Sequence, residues 1–264
     1  FNLAAAYQGL KLYEKAIDAY QYAVAIDEKF DYAYRNMGDA YLRLRKYKEA
    51  IDVLEKVLEL TRPEDVIYEA IGHCYHRMGN YAQARFHYKK AVHLNPDDSK
   101  LHYKIAVTYM LEEQWQSAVK QLELAMRIHR SIPEYNLAMG ECKMNLNQFK
   151  DAIQYFGTVV RQKTKNVAGW EALIRCLIKA GFHEEAIEQC IAAAKATDDK
   201  PIFLFYHSAM LFMLGKSKEG LLKLEAAMEK APRSLKKFIE INPSILQNNQ
   251  VVDLVARYKK GKKI

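Results

Sequence analysis

The sequence predicts an all-α solenoid built from antiparallel helix pairs, and three residue columns predict it. An alanine recurs every 34 residues without insertion or deletion, as Ala16, Ala50, Ala84, Ala118, Ala152 and Ala186. Small residues stand twelve places before these alanines, as Ala4, Gly38, Gly72, Ala106 and Gly140. Aromatic residues stand three places before them, as Tyr13, Tyr47, Tyr81, Trp115 and Phe149. A fixed period between about 20 and 50 residues is typical of stacked repeats.

Each repeat is predicted to contain two helices, here named helix A and helix B. In the second repeat, the column residues of helix A are Tyr34, Met37, Gly38 and Tyr41. Their spacing of i, i+3, i+4 and i+7 places them on one face of an α-helix. The glycine or alanine lets helix B approach closely, and the periodic alanine of helix B fills the facing gap. Because one helix pair cannot bury its apolar face alone, neighbouring pairs are expected to share a continuous core.

This pattern resembles the tetratricopeptide repeat, a 34-residue helix-turn-helix family. The third repeat carries it as Tyr68, Ile71, Gly72, Tyr75, Tyr81, Ala84, Tyr88, Ala91 and Pro96. The resemblance covers residues 1–234, as one repeat without its first four residues followed by six complete repeats. It implies a right-handed superhelix with a concave groove. The shared residues of the family are those that pack, so the resemblance implies much about fold and little about function.

The sequence predicts capping helices at the C-terminal end of the chain and a helix already in progress at the N-terminal end. Residues 235–264 are predicted to form capping helices and a basic tail, with Ser234 capping a short helix over Leu235–Ile241. A second helix is expected to start at Asn242-Pro243, since proline is tolerated in the first helical turn. The tail follows as Lys259-Lys260-Gly261-Lys262-Lys263. The chain begins in mid-helix at Phe1, which predicts native residues upstream.

The composition and the cysteine positions bear on membrane insertion and on the cellular compartment. The formal net charge is +8, and the sequence contains no apolar run approaching a membrane span. The four cysteines occupy packing columns and form no CxxC pair: Cys74, Cys142, Cys176 and Cys190. Buried reduced thiols fit a reducing compartment, so a cytoplasmic location is expected.

Metal binding and catalysis have little support in the sequence. His73 and His76 are three residues apart on one helix and could share a metal with His102. However, His102 stands in the bulky packing column, so we expect no metal and no cofactor. The sequence contains no GxGxxG, Walker or GxSxG motif, and we therefore expect no catalytic residue and no enzymatic activity.

The face of helix A opposite the packing columns is predicted to line the concave groove and to bind a peptide. The predicted binding residues are Arg35, Asn36, Asp39, Arg43, His73, Arg77, Lys100, Tyr103, Lys104, Leu137 and Phe205. The earlier repeats contribute cations and the later ones apolar side chains. This combination suits a peptide that carries acidic residues beside apolar ones.

Two known sub-types of the family fit these positions poorly. Domains that hold the acidic tails of cytosolic chaperones use lysine and arginine with two asparagines. Here the cationic positions hold Arg35, Lys100 and Lys104, while Asp39 and Ala70 replace both asparagines. A second sub-type uses an asparagine at the same position of every helix A, and only Asn2 and Asn36 match it.

The expected function is therefore a non-catalytic scaffold that binds a peptide segment of a protein partner. One alternative is that the repeats form the docking or regulatory part of a longer enzyme or assembly. Another is nucleic-acid binding through the basic groove and tail. We rank nucleic-acid binding behind peptide binding, because 32 acidic residues are spread among 40 basic ones and no RNA-stacking motif is present.

Overall fold

The computed structural model describes the backbone of residues 1–261 and the side chains of residues 1–258, and in this range it contains helices and no strand. The backbone of residues 259–261 therefore belongs to the last helix, while the rest of the predicted basic tail lies outside the described residues. The helices are α1 (Asn2–Gly9), α2 (Tyr13–Ile26), α3 (Asp31–Arg43), α4 (Tyr47–Leu60), α5 (Asp65–Arg77), α6 (Tyr81–Leu94), α7 (Ser99–Leu111), α8 (Trp115–Ile128), α9 (Pro133–Asn145), α10 (Phe149–Gln162), α11 (Val167–Lys179), α12 (His183–Ala196), α13 (Ile202–Met213), α14 (Ser217–Lys230), α15 (Leu235–Ile241) and α16 (Asn249–Gly261). Two 3₁₀ helices, Pro232–Ser234 and Pro243–Gln247, flank α15.

The helix boundaries follow the period of the sequence. From α2 to α14, the B helices begin at residues 13, 47, 81, 115, 149, 183 and 217, each 34 after the last. The A helices from α3 to α11 keep the same interval, and α13 begins one residue later. All six periodic alanines are fully buried. The predicted all-α architecture of stacked helix pairs is confirmed.

The chain divides into two compact units, Phe1–Ser131 and the residues from Ile132 onward. Within the first unit, α2 packs on α3, α4 on α5 and α6 on α7, so each B helix contacts the A helix that follows it. Within the second unit, α10 packs on α11 and α12 on α13 in the same manner. Each unit therefore stacks its helix pairs in chain order.

Every turn from helix A to helix B in the described residues uses one left-handed residue. These residues are Lys11, Arg45, Gly79, Glu113, Asn147, Gly181 and Gly215, with φ between 57° and 83°. The next amide donates to a carbonyl five residues back, as Lys46 N does to Tyr41 O at 2.9 Å. This hydrogen bond is typical of the Schellman motif that ends helices. The turn therefore has the same conformation in every repeat, including those in which the left-handed residue is not glycine.

Close packing between the helices of a pair depends on two facing positions. A β-carbon added to Gly140 would lie 2.5 Å from the Phe156 ring, so no side chain fits there. The corresponding pair one repeat later is Ile174 and Cys190, both buried. A larger residue on helix A thus accompanies a smaller one on helix B, which conserves the volume of the core.

The C-terminal helices differ in part from the prediction. Helix α15 has the predicted bounds, although the Ser234 side chain makes no capping hydrogen bond to it. The second C-terminal helix is present, but its predicted start at Asn242-Pro243 is wrong: Pro243–Gln247 is a 3₁₀ helix, and α16 starts at Asn249. Extended backbone at Asn248 separates them, and its Oδ1 accepts from Gln250 N at 3.0 Å, as an N-cap side chain does.

Candidate interaction surface

The predicted cationic residues lie on three A helices of the first unit. We name their surface the A-face, and it consists of Tyr32, Arg35, Asn36, Asp39, Arg43, Val66, Glu69, Ala70, His73, Arg77, Lys100, Tyr103, Lys104, Val107 and Leu111. These residues belong to α3, α5 and α7, and none of them is fully buried. Helical periodicity places them there, because the packing columns take the opposite side of each helix.

Two of the predicted residues, His73 and Lys104, meet in a depression between α5 and α7. Its volume is about 390 Å³, and Val66, Glu69 and Ala70 complete its lining. Lys104 Nζ forms an ion pair with the Glu69 carboxylate across the two helices. Val66 is 53% exposed, so an apolar side chain stands beside the charged pair. The depression therefore offers one cation, one carboxylate and one apolar contact to a ligand.

The charges around this depression act on the pKa of His73. Partial desolvation lowers the pKa of His73 below its ordinary value, and the charges of Lys104, His76 and Arg77 lower it further, whereas the smaller effect of Glu69 raises it. Because the net effect opposes protonation, His73 is neutral at pH 7 and can donate one hydrogen bond and accept another. Lys104 Nζ also stands 6.0 Å from the centre of the Tyr88 ring.

Three of the other predicted residues already have partners within the first unit, since Arg43 Nε also pairs with the Asp39 carboxylate at 3.6 Å. Arg35 donates to both oxygens of Glu64, at 2.8 and 2.7 Å, and to Asp31 at 3.3 Å. The hydrogen bond from Arg35 lowers the pKa of the Glu64 carboxyl. Asp39 accepts from Gln8 Nε2 at 2.9 Å. The first role of Arg35 is therefore to hold α3 against the turn that precedes α5.

The remaining predicted residues of the A-face are more accessible. Arg43, Arg77 and Lys100 are exposed, whereas Asn36 and Tyr103 are half-buried. The Arg77 guanidinium stands 5.9 Å from the centre of the Tyr47 ring. Neither Arg77 nor Lys100 forms an ion pair with any residue that the structure describes. These two cations are the best placed to meet a carboxylate from another molecule.

The two apolar residues of the predicted groove lie in the second unit, and one of them is not on a surface. Leu137 is half-buried and packs against the core of that unit. Phe205 is fully buried, with its ring centroid 6.3 Å from that of Phe238 on α15. The prediction of Phe205 as a groove residue is wrong, because α15 covers it. The sequence shows α15 as a helix but not which surface it covers.

The A-face also contains apolar residues that the predicted set of binding residues omits. Tyr32 is 64% exposed and Leu111 is 52% exposed, and Val66 adds a third such side chain. Tyr32 and Val66 are 34 residues apart, and the period places both at equivalent positions of the predicted groove. Large exposed apolar side chains beside cations are a common feature of protein interaction surfaces.

The histidines and cysteines do not converge on a site. Among the described residues, no three His, Cys, Asp or Glu side chains are placed to share a metal ion. The His73 and His76 rings stack at 6.5 Å, while His102 Nδ1 pairs with Gln121 Oε1 at 3.1 Å. Burial raises the pKa of the Cys74 thiol to about 12. None of the described helices is both long and apolar enough to span a membrane.

Family models match most of the chain. Residues 4–141 match the model of the tetratricopeptide repeat protein 21 C-terminal ARM domain, which is more than half of the sequence. Residues 137–201 match a tetratricopeptide repeat model. The chain belongs to the tetratricopeptide repeat family.

Solved structures of other tetratricopeptide repeat proteins share this fold. The C-terminal part of a repeat protein from Cytophaga hutchinsonii superposes with a TM-score of 0.76 at 16% identity, over 97% of this chain and 99% of that one. A protein from Parabacteroides merdae gives 0.65 at 11% identity, over 91% and 96%. YrrB, described as having an unusual peptide-binding site, gives 0.57 at 19% identity, over 65% and 88%. At these identities the likeness concerns the fold alone.

Proposed function

We propose that this chain is a non-catalytic interaction scaffold, and that the A-face binds a peptide segment carrying acidic and apolar side chains. The observation that carries the proposal is the depression between α5 and α7, where Lys104 and His73 lie beside exposed Val66. The peptide-binding description of YrrB, a protein of the same fold, is consistent with it.

The charges of the A-face favour an acidic partner. Arg35, Arg43, Arg77, Lys100 and Lys104 are its cations, and Asp39 and Glu69 are its anions, so the face carries a net charge of +3. Arg35 is already paired with Glu64, which leaves the attraction concentrated on α5 and α7. Surface cations of this kind raise the rate of association with an oppositely charged partner and select against like-charged ones.

Glu69 competes with any incoming carboxylate for Lys104. In the Glu69→Gln variant, Lys104 loses its ion pair, and we expect an acidic peptide to bind about 3–10 times more tightly because no charge must be displaced. The pair is partly exposed, so its loss should lower the free energy of unfolding by less than about 1 kcal/mol. Peptide titration and urea denaturation measure the two effects. Unchanged or weaker binding would show that Lys104 does not meet the peptide carboxylate.

A capture experiment tests the proposal as a whole. The parent chain and the Lys100→Glu/Lys104→Glu variant are used to capture proteins from a nuclease-treated cell extract. The control is Lys48→Glu/Lys120→Glu, which makes the same change in charge at two exposed positions on B helices. All three proteins must first show equal helicity and melting temperature.

We expect the parent and the control to capture the same partner, and the A-face variant to lose it. The captured partner should bind through a segment that contains aspartate or glutamate. If the A-face variant captures the same proteins as the parent, the A-face is not the binding surface. If nuclease treatment removes all capture, binding depends on nucleic acid and the proposal fails.

A further inference from the structure

We propose that the A helices of the second unit form a second interaction surface, which α15 occupies as an internal ligand. The surface fits an amphipathic helix that presents a phenylalanine beside a lysine, as α15 does with Phe238 and Lys237. A partner helix of this chemistry would bind there by displacing α15. This surface lies in the second unit, and its contacts with α15 do not depend on the function proposed for the A-face.

The side chains of α15 make the contacts of a bound helix. Phe238 is fully buried, and its ring centroid lies 6.3 Å from that of Phe205 and 6.3 Å from that of Phe212, both on α13. Lys237 Nζ forms an ion pair with Glu171 of α11 at 2.5 Å. One aromatic anchor in a pocket and one charge at its edge is a recurrent arrangement in peptide recognition.

The packing of α15 differs from that of the helices in the repeats. The A helices α11 and α13 pack against the B helix before them, whereas α15 packs mainly against α13, an A helix. The last B helix, α14, contacts α16 instead. Helix α15 is therefore an addition to the stack and not its next member.

The surface beneath α15 corresponds to the A-face by position in the repeat. Glu171 and Phe205 are 34 residues apart and occupy the same repeat position as Arg35, Glu69 and Tyr103. In the first unit this position faces the proposed peptide site, and in the second it faces α15. Helix α15 is therefore an example, within this chain, of a helix bound at this repeat position.

Helix α15 is short enough to be displaced. It has seven residues and lies between two 3₁₀ helices, and helices of this length are unstable in isolation. The ion pair to Glu171 is partly exposed, with 48% of the Lys237 side chain accessible, and contributes little by itself. Phe238 is the one fully buried side chain of α15, and partly buried Leu235, Ile239 and Ile241 add to its docking.

The test uses the full chain and a labelled synthetic peptide of residues 234–248. In the Phe238→Ala variant we expect α15 to detach and the peptide to bind at least ten times more tightly than to the parent. The matched control is Lys236→Ala on the same helix, whose side chain is 87% exposed and which should behave as the parent. A peptide in which alanine replaces the phenylalanine should not bind to any of them.

A second variant keeps Phe238 in place. Lys237→Glu sets like charges against Glu171 and is expected to increase peptide binding, by less than Phe238→Ala does, whereas the charge swap Glu171→Lys/Lys237→Glu should return it to the level of the parent. Hydrogen exchange should show faster exchange in α15 of Phe238→Ala with α11 and α13 still protected. The inference is overturned if α11 and α13 lose protection together with α15, or if neither Phe238→Ala nor Lys237→Glu binds the peptide better than the parent.

Discussion

Replacing Phe156 by alanine is expected to lower the free energy of unfolding by about 3–5 kcal/mol, the usual loss for a buried aromatic residue. Phe156 is fully buried, and its ring fills the space left by the missing side chain of Gly140. The α9–α10 pair would retain a cavity of nearly the size of the ring. Urea denaturation followed by circular dichroism measures the loss, and hydrogen exchange in α9 and α10 locates it.

The structure also predicts how that loss can be recovered. The sixth repeat places Ile174 opposite Cys190, which indicates that a large residue on helix A can fill the space that a small residue on helix B leaves. We therefore expect Gly140→Ile/Phe156→Ala to regain at least half of the stability lost by Phe156→Ala. Gly140→Ile alone should be strongly destabilising, because its side chain would overlap the Phe156 ring. Additive losses in the double variant would contradict this account of the facing positions.

The second large effect concerns acid stability and His87. This side chain is buried against the rings of Tyr68, Tyr75 and Phe86, and its Nδ1 has no hydrogen-bond partner among the described residues. Burial lowers the pKa of His87 from 6.5 to about 4, and the charge of Lys90 acts in the same direction. The folded state therefore keeps His87 neutral where the unfolded chain already binds a proton.

The sign of the effect follows from this difference in proton binding. Between about pH 6.5 and pH 4 the unfolded state binds more protons at this residue, so stability falls as the pH falls. The His87→Leu variant should lose about 2–3 kcal/mol less than the parent between pH 7 and pH 4. Parallel urea denaturation at both pH values gives the difference. Equal losses in the two proteins would show that His87 does not determine the acid sensitivity.

Much of the fold could be predicted from the sequence because packing imposes a strict period. A small residue is required wherever two helices approach closely, so the columns at Gly38 and Ala50 mark the helix contacts directly. The turn positions were less visible in the sequence, because Lys11, Arg45 and Glu113 adopt the same left-handed conformation as the glycines at equivalent positions, although a β-carbon disfavours it. There the helix-ending hydrogen bonds select the conformation, and the residue type does not reveal it.

The candidate site could be predicted only in part, because helical periodicity identifies a face but not what covers it. It placed His73 and Lys104 on neighbouring helices, where they meet. It could not show that Glu64 holds Arg35, since that partner lies in a turn 29 residues away. It could not show that α15 buries Phe205, because a short helix at the end of the repeats can fold over several surfaces.

Selection from an unbiased peptide library on the full chain is the most direct test of the central claim that the A-face binds an acidic, partly apolar peptide. The account predicts that the selected peptides combine aspartate or glutamate with apolar residues. It also predicts that they bind the parent at least ten times more tightly than the Lys100→Glu/Lys104→Glu variant. Selected peptides without acidic residues, or with equal affinity for both proteins, would contradict the claim.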